Sequence, residues 1–339
     1  SFFLDYRIIN KCKLRRGRGF MGDFIRGLVV KLHVTPEQEV EFKKNYGCTR
    51  KTYNELLNKY KAEHGEDSTE IPTQKELNQF LKEIKKELSY LKETESTSLQ
   101  QARDDLHKSF KNCHKSKRHN PPVYHSKKKT RPSFRQTVRK DKRPVENNTL
   151  TLRKHGKVTF STSIEYLDLL NHPDTKFNSI TVYYDGLNHY ASFNIETNPP
   201  EHLELTEKYI GCDINSNKNG WLVTSEMQKE FFDVDHENQM IKHINKLMSR
   251  CRKGSRRWKK LQKRLLKWYN KRTNKLKDYI EKLTFQLVQE YDTIVFEKNY
   301  STIKILIGGE QNMIFPLSRF IQRLKDKFQL YKPEADGVQ

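Results

Sequence analysis

Residues 208–225 read KYIGCDINSNKNGWLVTS. Apolar residues run up to one acid, Asp213, a polar turn closes on Gly220, and a second apolar run follows. The pattern predicts a strand over 208–214 that opens a second β-rich unit and ends on a carboxylate. An acid at the inner end of a strand is expensive to bury unless something cationic meets it.

A second apolar strand, YDTIVFEKN (291–299), ends the same way on Glu297. Either acid alone could do no more than start a turn. Together they resemble the carboxylates of an RNase H-like sheet, where adjacent central strands project acids from their ends. Two such groups do not both stay ionised at close range without a cation between them. Mg²⁺ suits the position, because it keeps waters and takes phosphate oxygens as further ligands. Asp213 and Glu297 are therefore the candidate catalytic and metal-binding residues. Such a site ordinarily needs a third acid, and none stands in a matching position before Gln339.

Between the two acids the chain is strongly basic. Residues 238–277 hold no acid and sixteen Lys or Arg, while Ile244, Leu247, Leu261, Leu265, Trp268 and Tyr269 recur at helical intervals. Gly254-Ser255 divides the stretch into two helices. A merely solvated charge run would intersperse signs, so a phosphate-facing helical hairpin is expected, with Arg252, Lys253 and Arg272 as nucleic-acid contacts.

The whole chain carries the same bias. Its 339 residues include 65 Lys and Arg against 42 Asp and Glu, a formal charge of +23, with 34% hydrophobic residues. That length predicts two or three domains. That charge predicts salt-dependent attraction to a polyanion, and nucleic acid is the expected one. No apolar run approaches 18 residues and no signal peptide is visible, so no membrane partner is expected. The five cysteines (Cys12, Cys48, Cys113, Cys212, Cys251) never fall into C-x-x-C spacing. This predicts a reducing compartment, no disulfide frame and no zinc site within the chain.

Toward the N-terminus, residues 1–26 read as a basic arm and GLVVKLHV (27–34) as a strand. Thr35, Pro36 and Gln38 make a helix-start signature. Gly47 marks a turn or kink in the helix that follows. Two more amphipathic segments, 73–91 and 96–112, complete a helical domain over 35–130. From Leu106 to Lys140 there is no acid and there are twelve Lys or Arg. This stretch reads as a loop laid along phosphate, with Phe134 stacking on bases and Arg135 holding backbone. From Thr149 the period changes to two, with turns at His155-Gly156 and Asp185-Gly186. These hairpins and the early strand are expected to close a small barrel over 27–34 and 131–205, followed by the sheet-bearing domain at 206–339.

At this point the chain resembles a known family, the TnpB proteins of insertion sequences and their descendants, the compact type V CRISPR effectors. The resemblance runs from about Val29 to Gln339. It rests on Gly47, Cys48, Arg50, Tyr53 and Asn54 in the N-terminal motif, SLQQARDDLHKSFKN, RPSFRQT, GCDINSNKN as a first RuvC motif, KRTNKLKDYIEKL, and IVFEKN as a second RuvC motif. It implies an α+β multidomain fold: an OB-like wedge barrel with an inserted helical recognition domain, then an RNase H-like RuvC domain that stops short of the family's zinc ribbon and third acid. It also implies a prokaryotic, nucleoid-associated protein that holds a guide RNA, forms an R-loop with double-stranded target DNA and cuts with Mg²⁺. Arg50, Tyr53 and Asn54 join Arg135 as expected nucleic-acid contacts. The sequence leaves monomer and dimer open. Three readings stay open for function: an RNA-guided nuclease, a nuclease-inactive guided DNA binder that represses transcription, and an RNA-independent regulator using helices within 35–58 as a helix-turn-helix.

Overall fold

The computed structural model describes residues 24–115, 120–139, 141–214, 221–226, 229–230, 232–296 and 317–338. Most of the expected basic arm, and Glu297, lie outside the described residues. The chain divides into two compact units, one ending at Thr197 and the other beginning at Asn198.

The first unit begins with strand β1 (Phe24–His33). Thr35 then caps α1 (Pro36–His64): its Oγ1 accepts from the Gln38 N–H at 3.3 Å, and its own N–H donates to Gln38 Oε1 at 3.2 Å. The reciprocal pair satisfies two otherwise orphan amides. Of the turn or kink expected at Gly47, the turn does not occur, and α1 runs through it as one 29-residue helix. Glycine costs a helix interior only about 1 kcal/mol, and Tyr46 and Cys48 on either side are both buried. Thr73 caps α2 (Gln74–Glu87) through the same box with Glu76, and α3 (Ser96–Lys115) closes the helical layer. Leu56, Tyr60, Leu77, Ile84, Leu99 and Phe110 share its core.

Helix α1 serves two cores. Phe42 and Tyr46 in its first half pack into the apolar interior of a seven-stranded antiparallel sheet. That sheet adds β2 (Ser133–Thr137), β3 (Val145–Glu146), β4 (Thr149–Leu152), β5 (Gly156–Ser161), β6 (Lys176–Tyr184) and β7 (His189–Thr197). Its order is β2-β6-β7-β1-β5-β4-β3. A helix not anticipated from the sequence, α4 (Ile164–Asn171), follows β5. The sheet curls as expected, but among the described residues no backbone ladder closes it into a barrel. Instead the buried Gln136 amide on β2 donates to the Arg153 carbonyl and accepts from the Arg153 N–H, both at 3.2 Å. One side chain thus mimics a ladder pair across the seam.

In the second unit β8 (Tyr209–Ile214), β9 (Leu222–Thr224) and β10 (Lys229–Glu230) form an antiparallel meander, and β11 (Thr293–Phe296) lies parallel to β8. Strand β12 (Gly337–Val338) adds in parallel to β11. The order β10-β9-β8-β11-β12 is that of an RNase H-like sheet. Between β8 and β11 run α5 (Asp235–Ser249) and α6 (Arg256–Glu290). Ile280, Leu287 and Val288 on the last turns of α6, with Phe320 and Leu324 of α7 (Leu317–Tyr331), cover Ile210, Cys212 and Ile214.

Candidate functional site

Strand alternation decides which way Asp213 faces. Ile210, Cys212 and Ile214 are buried, whereas Tyr209 and Asp213 are exposed, so the acid projects from the face opposite the core. In the neighbouring β11 the buried residues are Ile294 and Phe296, and Val295 is exposed. The parallel register pairs Val295 with Gly211 and Phe296 with Cys212. A shallow depression of about 350 Å³ lies over this face, lined by Gly211, Asp213, Val223, Ser225 and Val295 among others. A carboxylate at the rim of an open depression offers hard oxygen donors, which suits Mg²⁺. Among the described residues, the one group of three candidate ligating side chains lies elsewhere, at Glu63, His64 and Glu76.

The basic hairpin forms as a pair of helices with different fates along their length. Only the C-terminal third of α6 is buried, and its first turns stand out from the core. Ser255 caps α6 by accepting from the Trp258 N–H at 3.2 Å, and Gly254 turns the chain at φ +86°. Arg252 and Lys253 sit exposed at this tip. Arg272 is placed differently: its Nη1 donates to Asn238 Oδ1 at 2.9 Å, fastening α6 to α5. Buried Glu237 adds to the clasp by facing Lys271 at 3.4 Å and Lys275 at 3.6 Å. Burial pushes the Glu237 carboxyl up, but the helix-start amide and the two lysines outweigh it and hold it below the ordinary value.

In the first unit, four expected contact residues converge on two groups that sequence reasoning passed over, His125 and Asp105. The Tyr53 ring stacks on the His125 imidazole, centroids 3.8 Å apart and planes 6° from parallel. Asn54 donates to the His125 carbonyl at 2.9 Å and accepts its N–H at 2.7 Å. Burial lowers the His125 pKa; Asp105 opposes that and Arg50 adds to it. Arg135 pairs with Asp105. Tyr53 is 4% exposed, and burial raises its phenol pKa although a hydrogen bond from Ser109 opposes the shift. Its ring face is therefore occupied by His125.

The stacking role expected of Phe134 needs correcting. Its ring is 1% exposed and meets Phe42 edge-on at 5.7 Å in the sheet core. Alternation along β2 turns Phe134 inward, and Arg135 outward. A signal for His125 did exist in the sequence: it closes the stretch PPVYH, an aromatic pair inside the acid-free basic run.

Comparison with known proteins bears on this arrangement. Residues 192–302 match the profile of the OrfB_IS605 family, described as a probable transposase, and residues 21–68 match that family's helix-turn-helix domain. Over 282 residues the chain is 28% identical to a protein of Streptomyces pristinaespiralis named as an RNA-guided DNA endonuclease. The chain is similar to TnpB-type proteins. A second relative, InsQ of Escherichia coli K12, carries the same naming and is 23% identical over 265 residues. These alignments take in 80% and 77% of this chain but 66% and 63% of the two relatives. The fold is that of the Cas12f1 chain in a cryo-EM complex with sgRNA and target DNA, with a TM-score of 0.53, 12% identity, and coverage of 90% of this chain and 73% of that one.

The helix-turn-helix description does not fit residues 24–64, which form one strand and one unbroken helix. An RNA-independent regulator built on two helices within 35–58 therefore has no structural basis. No helix among the described residues is long and apolar enough to cross a membrane.

Proposed function

We propose that this chain acts as an RNA-guided DNA endonuclease: it holds a guide RNA, opens target DNA as an R-loop, and cuts with a Mg²⁺-dependent RuvC-type site. The observation that carries the reading is the parallel pairing of β8 with β11. Phe296 lies opposite Cys212, and the next residues in sequence are Glu297 and Asp213. Asp213 and Glu297 would hold the metal, which supplies charge stabilisation at the scissile phosphate and a water of lowered pKa. Asp213 would face that group from the open side of the sheet, where a phosphodiester can approach. The strand's other face is sealed by Ile210, Cys212 and Ile214. The exposed tip of the α5–α6 hairpin supplies cations for phosphate.

The experiment is direct. The protein is expressed with the DNA surrounding its own gene, the co-purifying RNA is sequenced, and cutting is assayed with and without Mg²⁺. Asp213→Ala and Glu297→Ala are expected to abolish cutting while guided binding survives. Sequence-specific DNA binding that persists after RNase treatment would sink the guided reading. Tight guided binding by a wild type that never cuts would replace the nuclease by a DNA-occluding repressor.

A further inference from the structure

The segment 120–130 has no regular secondary structure apart from one turn, yet it is held at fixed points on the helical layer. Asn54 grips both backbone groups of His125, and Tyr53 covers its ring. One residue earlier, Tyr124 is 46% exposed, with Lys61 Nζ 5.1 Å from its ring centroid. Val123 beside it is 68% exposed. One residue later, Ser126 starts a tight turn: its Oγ accepts from the Lys129 N–H at 3.0 Å and its carbonyl from the Thr130 N–H at 2.9 Å. Lys127, Lys128 and Lys129 are all exposed on that turn.

This surface sets an exposed aromatic beside three exposed lysines. It is the composition of a stacking platform with a phosphate cradle, as unpaired nucleic acid requires. A duplex offers phosphates but keeps its bases stacked, so the exposed Tyr124 ring favours an unpaired strand.

We infer that residues 123–129 form a strap that binds an unpaired stretch of the guide RNA. Tyr124 stacks on a base, Lys127–Lys129 take its phosphates, and Asn54 and Tyr53 position the strap through His125. The stacking that Phe134 cannot provide passes to Tyr124. This inference rests on the guide-RNA reading and deepens it.

The test uses the full chain, a labelled unstructured 20-nucleotide RNA and a 20-base-pair DNA duplex as probes. Tyr124→Ala is expected to weaken RNA binding about tenfold, within the range of removing one base stack, and to leave duplex binding nearly unchanged. Replacing Lys127, Lys128 and Lys129 with Ala should reduce the slope of log affinity against log salt by about 2, as expected for three single-strand phosphates. Asn54→Ala should weaken RNA binding alone, and add little in the triple-Ala background. A simple folding defect would instead weaken both backgrounds equally. Unchanged RNA affinity in Tyr124→Ala and an unchanged salt slope in the triple variant would overturn the strap while leaving the guide reading intact. So would a loss confined to the duplex. A wild type that holds no RNA would overturn both.

Discussion

Lys332 donates to Asp292 Oδ1 at 2.6 Å from a position 1% exposed, and the pair ties the end of α7 to the start of β11. The other carboxylate oxygen accepts the N–H groups of Thr206 and Glu207 at 2.7 and 2.6 Å, just before β8. The two strands that frame the candidate site are thus anchored at their entry ends to one carboxylate. Burial pushes the Asp292 carboxyl up, but Lys332 and the two amides outweigh it and hold its pKa below the ordinary value. Asp292→Ala would leave a buried ammonium without its partner, which costs about 3–5 kcal/mol. The urea midpoint of the purified protein should fall accordingly. In the wild type this stabilisation is complete above the unfolded value of about 3.9 and is lost as pH falls through the lower folded value. A variant no less stable than wild type would show that the anchor contributes nothing.

A second pH dependence comes from the junction of α1 with the curled sheet. His155 and His189 flank Phe42 there, with ring centroids 5.3 and 5.5 Å from its own. His155 meets the Asn45 amide at 3.0 Å, and His189 Nδ1 meets the Tyr46 hydroxyl at 3.0 Å. Burial lowers both imidazole pKa values. The folded state then holds fewer protons than the unfolded one, so stability rises with pH up to about 6.5 and is lost below it. Thermal melts between pH 5 and 8 should show that rise, and it should flatten in a His155→Gln, His189→Gln double variant. A parallel pH profile in the double variant would rule these histidines out as its source.

The hairpin tip gives a third expectation. Arg252, Lys253, Arg256 and Arg257 are exposed, whereas Arg272 and Glu237 join the helices to each other. Alanine at the four tip positions should leave circular dichroism unchanged. It should also lower the salt slope of binding to duplex DNA by up to about 0.9 for each phosphate that the tip had neutralised. An unchanged slope would remove the tip from the interface.

The legible parts of this chain were those fixed by local chemistry. Thr35 announces its helix because the capping box is a contact between residues three apart. The strand at 208–214 announces itself because its apolar run and the turn after it are local, although which face it buries is not. Phe134 was misjudged because a two-residue period says that one neighbour points inward, not which one; the choice was settled by Phe42, which lies far away in sequence. His125 was missed for the same reason: its partners Tyr53 and Asn54 lie 71 or more residues away, on another element. The Gln136–Arg153 seam is likewise invisible until the sheet has curled.

Gly47 offers the sharpest separation of fold from function. It sits inside the unbroken α1, and a Cβ built there meets nothing within 4 Å. Neither a positive φ nor a close neighbour within the chain requires glycine at this position. Gly47→Ala should therefore stabilise the free protein by about 0.5–1 kcal/mol, through helix propensity and reduced freedom of the unfolded chain. A urea titration measures this, and a fall in the midpoint would show that the position is more crowded than the structure allows. The same variant should be titrated with RNA. Unchanged affinity would leave that side of the helix facing solvent in the complex, whereas greater stability with weaker RNA binding would place the nucleic acid against the bare backbone at residue 47.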